Sequence, residues 1–317
     1  MPTLEELYLE DPTRGRHTLA RLAGCTQYKA QTFLQSMKHP ETSPPTPAVS
    51  PLEAQIKAAG ITEKELAVIL QSVKSTPQSR PKSQHVWNGQ SFKFATISDT
   101  HFGHVKSHEE WWLRACDLIR REGCQLVLLP GDITEGMSGR PGHVYELDAV
   151  GVTAQIDLAV RRLSMLPCPV EAITGNHDGW AYKSVGVDVG AELAAKLPNY
   201  KHLGQDEADV TINGVTIKLW HGGDGSSYAT SYRTQKFVEG LTGGEKPHIL
   251  LSGHAHKAIM HECRNVMVFE CGTLCGQTGW MRGKKLAAHC GFWIIEVFPA
   301  PEGGIERLKS EWVPFFN

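Results

Sequence analysis

Leu251-Ser252-Gly253-His254-Ala255-His256 is the stretch that organises the fold of this chain. The residues at 247–251 are mostly apolar and predict a short buried strand. Gly253 then allows the chain to turn without steric cost. The two histidines that follow are one residue apart, and neutral imidazole is the commonest metal ligand. Two imidazoles at this spacing, just beyond a strand, can reach two neighbouring ions.

Composition limits the class of protein. The chain has 317 residues and a net charge of −2, so any contact with nucleic acid must come from a local basic patch. Its apolar runs are too short to span a bilayer, and its acidic N-terminus does not resemble a signal peptide. We therefore expect a cytoplasmic protein, of a bacterium or a phage-infected cell, without a membrane partner. The eight cysteines are scattered and are expected to be reduced core thiols.

The sequence predicts three parts. Residues 1–38 form a helix-turn-helix-like helical domain, residues 39–84 are Pro-rich linkers that flank a short helical pair at 52–74, and residues 85–317 form the large domain. In the large domain, strands alternate with helices, and hairpin turns are predicted at Asn88-Gly89 and Asn213-Gly214. This pattern indicates α/β layers with mixed sheets.

Helical spacing occurs on both sides of Gly24, and Thr26 can cap the second helix. The pattern resembles the helix-turn-helix of bacterial repressors. The resemblance implies that DNA is contacted by the polar side chains at the start of the second helix, namely Thr26, Gln27, Tyr28, Lys29, Gln31 and Thr32. The alternative is a helical hairpin that serves packing or protein contacts.

Five segments place metal-ligand residue types directly after apolar strands, where the carboxyl ends of strands gather ligands. They are Asp99-Thr100-His101, Gly131-Asp132, Gly175-Asn176-His177-Asp178, Trp220-His221-Gly222-Gly223 and Gly253-His254-Ala255-His256. Carboxylate, carboxamide and imidazole together suit Mn²⁺, Fe or Zn²⁺ better than Ca²⁺ or Mg²⁺. The set contains no cysteine, which argues against a structural zinc site.

From about residue 92 to the C-terminus, this ordered set resembles the calcineurin-like metallophosphoesterase superfamily. The resemblance implies a four-layer α/β/β/α sandwich with two mixed sheets and a phosphoesterase with two divalent ions, Mn²⁺ first, with Fe, Zn²⁺ or Ni²⁺ as alternatives. The implied ligands are Asp99, His101 and His256 for one ion, Asn176, His221 and His254 for the other, and Asp132 as the bridge. The resemblance further implies that His177 is the catalytic histidine and that Asp178 orients it.

Three features favour nucleic acid or a nucleotide as substrate. Residues 95–103 look like the opening motif of the repair exonucleases in the superfamily, and the helical domain upstream would tether DNA near the site. The third feature is a basic cluster that could hold phosphates, formed by Arg282, Lys284 and Lys285, for which a solvated turn is the alternative. Those exonucleases have a histidine where this chain has Glu135, so a phosphodiesterase of limited processivity or an end-processing phosphatase fits better than a resecting nuclease.

Further substrate contacts are predicted in loops near the site. His104 and His143 lie on loops that could face it, and Tyr228 and Arg233 could stack a base and hold a phosphate.

Two alternatives to a nucleic-acid phosphoesterase remain open. One is a DNA-binding regulatory or scaffolding protein with a phosphoesterase-derived core, and the other is a phosphomonoesterase acting on small molecules or proteins.

Overall fold

The computed structural model describes residues 2–38, 60, 62, 82–223, 225 and 227–316. The chain forms two compact units, Met1–Pro77 and Gln78–Asn317. Apart from residues 60 and 62, the predicted helical pair at 52–74 and the linkers beside it, up to residue 81, lie outside the described residues.

The described residues of the first unit form three helices, α1 (Leu4–Glu10), α2 (Arg16–Ala23) and α3 (Gln27–Lys38). They bury a small apolar cluster that includes Leu7, Leu19 and Ala30. The predicted turn is present, because Gly24 ends α2 with a φ of 65°, a conformation that favours glycine. Thr26 Oγ1 accepts a hydrogen bond from the Lys29 amide at 3.3 Å, as expected of a cap. The DNA contacts expected at the start of α3 stay a prediction.

In the part of the second unit that the structure describes, there are twelve strands. They are β1 (Lys82–His85), β2 (Phe92–Thr96), β3 (Leu126–Pro130), β4 (Val170–Thr174), β5 (Tyr200–Gln205), β6 (Glu207–Ile212), β7 (Val215–Trp220), β8 (Ile249–Ser252), β9 (Ala258–Cys263), β10 (Val266–Cys271), β11 (Gly291–Pro299) and β12 (Ile305–Pro314). Sheet I has the order β12-β11-β2-β3-β4-β5, and sheet II has the order β1-β6-β7-β8-β10-β9. Both sheets combine parallel and antiparallel neighbours.

The helices of the second unit are short. They are α4 (Glu109–Arg121), α5 (Val152–Leu163), α6 (Asn176–Val185), α7 (Val189–Lys196), α8 (Tyr232–Gly240) and α9 (Gly279–Gly283), with 3₁₀ turns at His143–Glu146 and Gly243–Glu245. Among the described residues, no helix has the length and apolar character needed to cross a membrane.

Three apolar clusters separate four layers. Ile119 of α4 belongs to the cluster between the helices and sheet I. Leu128 of β3 and Leu251 of β8 lie in the cluster between the two sheets. Leu250 points to the other face of β8, because side chains alternate along a strand, and packs in a cluster with Val238 of α8. The expected α/β/β/α sandwich with two mixed sheets is confirmed. The eight cysteines are free, and five of them are buried.

One of the two predicted hairpins is confirmed. β6 and β7 are antiparallel neighbours joined at Asn213-Gly214, whose φ values are 48° and 81°. The hairpin predicted at Asn88-Gly89 is wrong, because β1 pairs with β6 in sheet II while β2 enters sheet I. The Asn-Gly pair marks a bend, but the burial of Phe92 between the sheets decides which strands pair.

The predicted start of the large domain at residue 85 is too late. Residues 82–85, expected to end the linker region, form β1 and pair with residues 209–212 of β6. Ser83 is buried and donates a hydrogen bond to Glu171 Oε1 at 2.7 Å. A polar four-residue edge strand has the composition of a linker, so its pairing is visible only in the structure.

Candidate active site

The predicted ligands are brought together by the ends of five strands. β2, β3 and β4 are parallel neighbours in sheet I, and β7 and β8 are parallel neighbours in sheet II. Their carboxyl ends therefore lie along one edge of the two stacked sheets. All five segments singled out in the sequence follow these strands and meet at that edge.

The backbone at this edge is strained. Five of the predicted ligands have positive φ values, which are 52° at Asp99, 44° at His101, 50° at Asp132, 70° at His254 and 53° at His256. Residues with a Cβ rarely adopt this conformation, and the strain it carries collects at functional sites. The sharp turn after each strand directs these side chains toward one another.

Asp99, His101 and His256 form one candidate metal-binding group. Nε2 of His256 lies 3.3 Å from Oδ1 of Asp99. Nε2 of His101 lies 3.8 Å from the same oxygen and 2.9 Å from Nε2 of His256. Both Asp99 and His101 are buried, so the three ligand atoms face one another away from solvent.

Asp132, His221 and His254 form a second candidate group. Oδ2 of Asp132 lies 3.1 Å from Nε2 of His221. Oδ1 of Asn176 lies 3.0 Å from the same nitrogen and 2.9 Å from Nδ1 of His254, so it joins this group. Oδ2 of Asp132 is also 3.9 Å from Nε2 of His101. Asp132 therefore lies between the two groups, where a bridging carboxylate is needed.

The negatively charged carboxylates of the site favour the binding of cations. Burial lowers the pKa of His221, but the adjacent Asp132 and Asp99 carboxylates outweigh it and raise that pKa to about 10. The pKa of His254 falls to about 4 through burial and the nearby His221. Two buried carboxylates thus create a negative potential, and the ligand atoms of each candidate group lie within 4.8 Å of one another. This donor set suits divalent metal ions.

His177 lies beside both groups, but Asp178 does not orient its ring, so that expectation is wrong. Nδ1 of His177 lies 2.8 Å from the carbonyl oxygen of Glu135. The Asp178 carboxylate accepts hydrogen bonds from the amides of Thr134 at 2.8 Å and Gly175 at 3.0 Å. Near the start of α6, its side chain turns back toward the helix N-terminus, so it ties the loop after β3 to α6 instead.

Glu135 is the residue of the site that the sequence did not reveal as functional. Its Oε2 lies 2.8 Å from Nδ1 of His101, and its Oε1 lies 2.7 Å from Nε2 of His143. Burial raises the pKa of the Glu135 carboxyl, but these histidines and His177 hold it well below its usual range. Its signals in the sequence are its position three residues after Asp132 in a strand-end loop and the histidine that the repair exonucleases have at this position.

A cavity of about 460 Å³ opens onto these groups. His101, Asp132 and His177 line its floor. Its walls combine aromatic, aliphatic and basic side chains, including Trp180, Trp280, Met281, Leu286, Arg140, Arg233 and Lys257. Such a cavity, with an apolar wall and a few convergent polar groups, is typical of a small-molecule site.

The structure brings only part of the predicted substrate contacts into the cavity. His104, His143 and Arg233 line it. Both ring nitrogens of His143 are engaged within the protein, since Nδ1 lies 3.2 Å from the Ser138 amide and Nε2 contacts Glu135. The structure does not place the other four in the lining, and they are exposed instead, namely Tyr228, Arg282, Lys284 and Lys285. In α9, Trp280 and Met281 line the cavity, whereas the basic cluster of Arg282, Lys284 and Lys285 does not. The expected contact of this cluster with a substrate in the cavity is therefore corrected.

Comparison with known proteins defines the class of this chain. Residues 92–289, more than half of the sequence, match the calcineurin-like phosphoesterase superfamily domain. The chain therefore belongs to the calcineurin-like phosphoesterase superfamily.

The curated relatives include DNA polymerase II small subunits. That of Halobacterium salinarum is 29% identical over 138 residues, which are 42% of this chain and 27% of that protein. That of Methanothermobacter thermautotrophicus is 20% identical, with 63% of this chain and 51% of that protein covered. The chain thus spans between about a quarter and a half of the length of these relatives.

Solved structures with similarity to this chain include two phosphoesterases. An archaeal phosphodiesterase is 17% identical, with 70% of this chain and 100% of that chain covered and a TM-score of 0.42. The phosphoesterase YfcE from E. coli is 16% identical, with 69% and 98% covered and a TM-score of 0.41.

Proposed function

We propose that this protein is a two-metal phosphoesterase that hydrolyses phosphoester bonds in nucleic acids or nucleotides. The observation that carries the proposal is the convergence of seven potential ligands, five of which line one cavity, with His177 beside them. The relatives named as DNA polymerase subunits support a nucleic-acid or nucleotide substrate. The exposed start of α3 is the proposed DNA contact of the first unit.

The ligand roles follow the two groups. Asp99, His101 and His256 would hold one ion, Asn176, His221 and His254 would hold the other, and Asp132 would bridge them. Mn²⁺ is the first candidate, with Fe, Zn²⁺ and Ni²⁺ as alternatives, because the ligands mix oxygen and imidazole donors. When bound, two such ions supply a water of lowered pKa and stabilise charge on the phosphoryl oxygens.

His177 supplies the proton. Burial lowers its pKa, but the Asp132 and Glu135 carboxylates raise it to about 9, and cations that neutralise Asp132 would bring it back toward neutrality. The carbonyl oxygen of Glu135 holds Nδ1, which leaves Nε2 to protonate the leaving oxygen. Arg233 and Lys257 line the same cavity and would hold negative charge of the substrate.

Hydrolysis of bis-p-nitrophenyl phosphate tests this proposal. We expect chelation to abolish turnover and added Mn²⁺ to restore it. For a dinucleotide, whose alkoxide leaving group needs a proton, His177→Ala should lower kcat by about 100- to 10,000-fold, because a general acid is lost, without lowering the amount of bound Mn²⁺. His289→Ala, at an exposed histidine that does not line the cavity, is the control. Full activity of His177→Ala, or inactivity of the wild type with Mn²⁺, Fe²⁺, Zn²⁺ and Ni²⁺, contradicts the proposal.

A further inference from the structure

One wall of the cavity has no part in the chemistry above. It contains Trp180 of α6 and Trp280 of α9, with Met281 and Leu286 beside Trp280 in the sequence. Trp280 is 48% exposed, although indole is a large and largely apolar side chain. A half-exposed tryptophan in a cavity wall leaves an aromatic surface available to a ligand.

The aromatic wall begins next to the proposed proton donor. The ring of Trp180 lies 4.0 Å from the ring of His177, centre to centre, with an angle of 34° between the planes. A phosphoester whose phosphoryl group lies at the ligand groups would therefore direct its neighbouring substituent toward this wall. The substituent must be compact, because the whole cavity measures about 460 Å³.

Basic residues occur in the same cavity. Arg140 pairs with Glu146, with 2.5 Å between Nη2 and Oε2, and Nζ of Lys257 donates a hydrogen bond to the Ser227 carbonyl oxygen at 3.0 Å. Aromatic surfaces interleaved with basic side chains bind nucleotides, because bases stack on the rings while phosphates meet the charges. An alkyl or acyl substituent could make only apolar contacts with the indole rings, whereas a base would also stack on them.

We propose that the wall formed by Trp180 and Trp280 is a nucleobase-binding site. The substrate is then a single nucleotide unit, either a mononucleotide or the terminal nucleotide of a strand, whose base stacks on Trp280. This inference rests on the proposed phosphoesterase function and specifies its substrate. It makes Trp280 a specificity-determining residue.

Equilibrium binding to the Mn²⁺-loaded chain of 317 residues tests the site. The ligands are adenosine monophosphate, ribose 5-phosphate, hexyl phosphate and inorganic phosphate. We expect the wild type to bind adenosine monophosphate more tightly than ribose 5-phosphate by roughly 5- to 150-fold, the usual contribution of one stacked base. Trp280→Ala should remove this preference, and Trp280→Phe should retain most of it because the aromatic face remains.

Tyr182→Ala is the matched control, because Tyr182 is an exposed aromatic residue of α6 that does not line the cavity. All four affinities should be unchanged in it. Equal binding of adenosine monophosphate and ribose 5-phosphate by the wild type, or a preference that survives in Trp280→Ala, overturns the base site. Tighter binding of hexyl phosphate than of adenosine monophosphate also overturns it.

The proposed hydrolytic function and the proposed base site can be refuted independently of each other. Turnover of bis-p-nitrophenyl phosphate without any preference for the base would leave the phosphoesterase function in place and remove the base site. A preference for the base that depends on Trp280, in a protein that hydrolyses no phosphoester with any of the four metals, would support the base site and remove the hydrolytic function.

Discussion

At the scale of single residues, Glu135 links the candidate ligands to the proposed proton donor. Its carboxylate contacts His101 and His143, and its carbonyl oxygen lies 2.8 Å from the ring of His177. A carboxylate on the second nitrogen of a ligand imidazole fixes the orientation of the ring and increases its basicity. We therefore propose that Glu135 positions His101, whose Nε2 would be left for the first ion.

Replacement of this carboxylate tests the positioning role. Glu135→Gln keeps the shape of the side chain but removes its charge, so we expect Mn²⁺ affinity to fall by about 10- to 100-fold. Competition with a chelating dye measures the affinity independently of activity.

Glu146→Gln is the control for this replacement. Glu146 also lines the cavity, but its carboxylate pairs with Arg140 and contacts no candidate ligand. Wild-type Mn²⁺ affinity in Glu135→Gln would show that Glu135 does not position His101.

At the scale of elements, the start of α6 must approach the ligands closely. Gly175 precedes this helix, and a Cβ there would lie 2.3 Å from Oδ1 of Asp132 and 2.5 Å from Nε2 of His221. These atoms belong to buried side chains with little room to move. The helix can therefore carry Asn176 and His177 into the site only if glycine precedes them.

Gly175→Ala should disrupt the site because the added methyl group displaces Asp132 and His221. We expect the loss of tight Mn²⁺ binding and of hydrolysis, measured by metal titration and by turnover of bis-p-nitrophenyl phosphate. Gly179→Ala, in the same helix, is the control. Its Cβ would meet only the end of the flexible Gln205 side chain at 3.4 Å.

In a helix interior, alanine is favoured over glycine by about 0.5–1 kcal/mol, so Gly179→Ala should be neutral or stabilising. Binding of two Mn²⁺ ions by Gly175→Ala with wild-type affinity would show that the close approach is unnecessary.

At the scale of the whole molecule, the position of the domain boundary has a measurable consequence. In β1, Oγ of Ser83 lies 2.7 Å from Oε1 of the buried Glu171, and Nε2 of His85 lies 3.0 Å from the same oxygen. Without β1, Lys201 is the charged partner left to this carboxylate. The second unit should therefore depend on residues that look like linker.

Two truncated chains test this dependence. A chain that starts at Gln78 should unfold like the second unit of the full protein and retain hydrolysis. A chain that starts at Val86 loses β1, and we expect its free energy of unfolding to fall by about 3 kcal/mol or more, because a buried carboxylate loses two hydrogen-bonding partners. Urea denaturation measures the difference.

Equal stability of the two truncated chains would show that β1 is dispensable. The chain that starts at Gln78 also tests the proposed DNA contacts of the first unit, which it lacks. Its affinity for duplex DNA should be lower than that of the full protein, and unchanged affinity would contradict a role of α3 in DNA binding.

The sequence by itself determined the features that depend on neighbouring residues. Apolar strands followed by glycine, aspartate and histidine predicted the five loops that carry the candidate ligands, and they predicted the α/β class. The turn at Asn213-Gly214 could also be predicted, because asparagine and glycine tolerate the positive φ values that both residues adopt. Each of these features depends on a few consecutive residues, whose conformational preferences act before the chain folds.

Only the tertiary structure decided which distant residues meet. Glu135 contacts His101 across 34 positions, and Ser83 contacts Glu171 across 88. The cavity wall likewise combines Trp180 with Trp280, which lie on separate helices. Burial of Phe92 between the two sheets overrode the local signal at Asn88-Gly89. The amides of Thr134 and Gly175 bind the Asp178 carboxylate, in place of its expected contact with His177. A side chain's partner is set by which strand ends lie side by side, and that depends on the core as a whole.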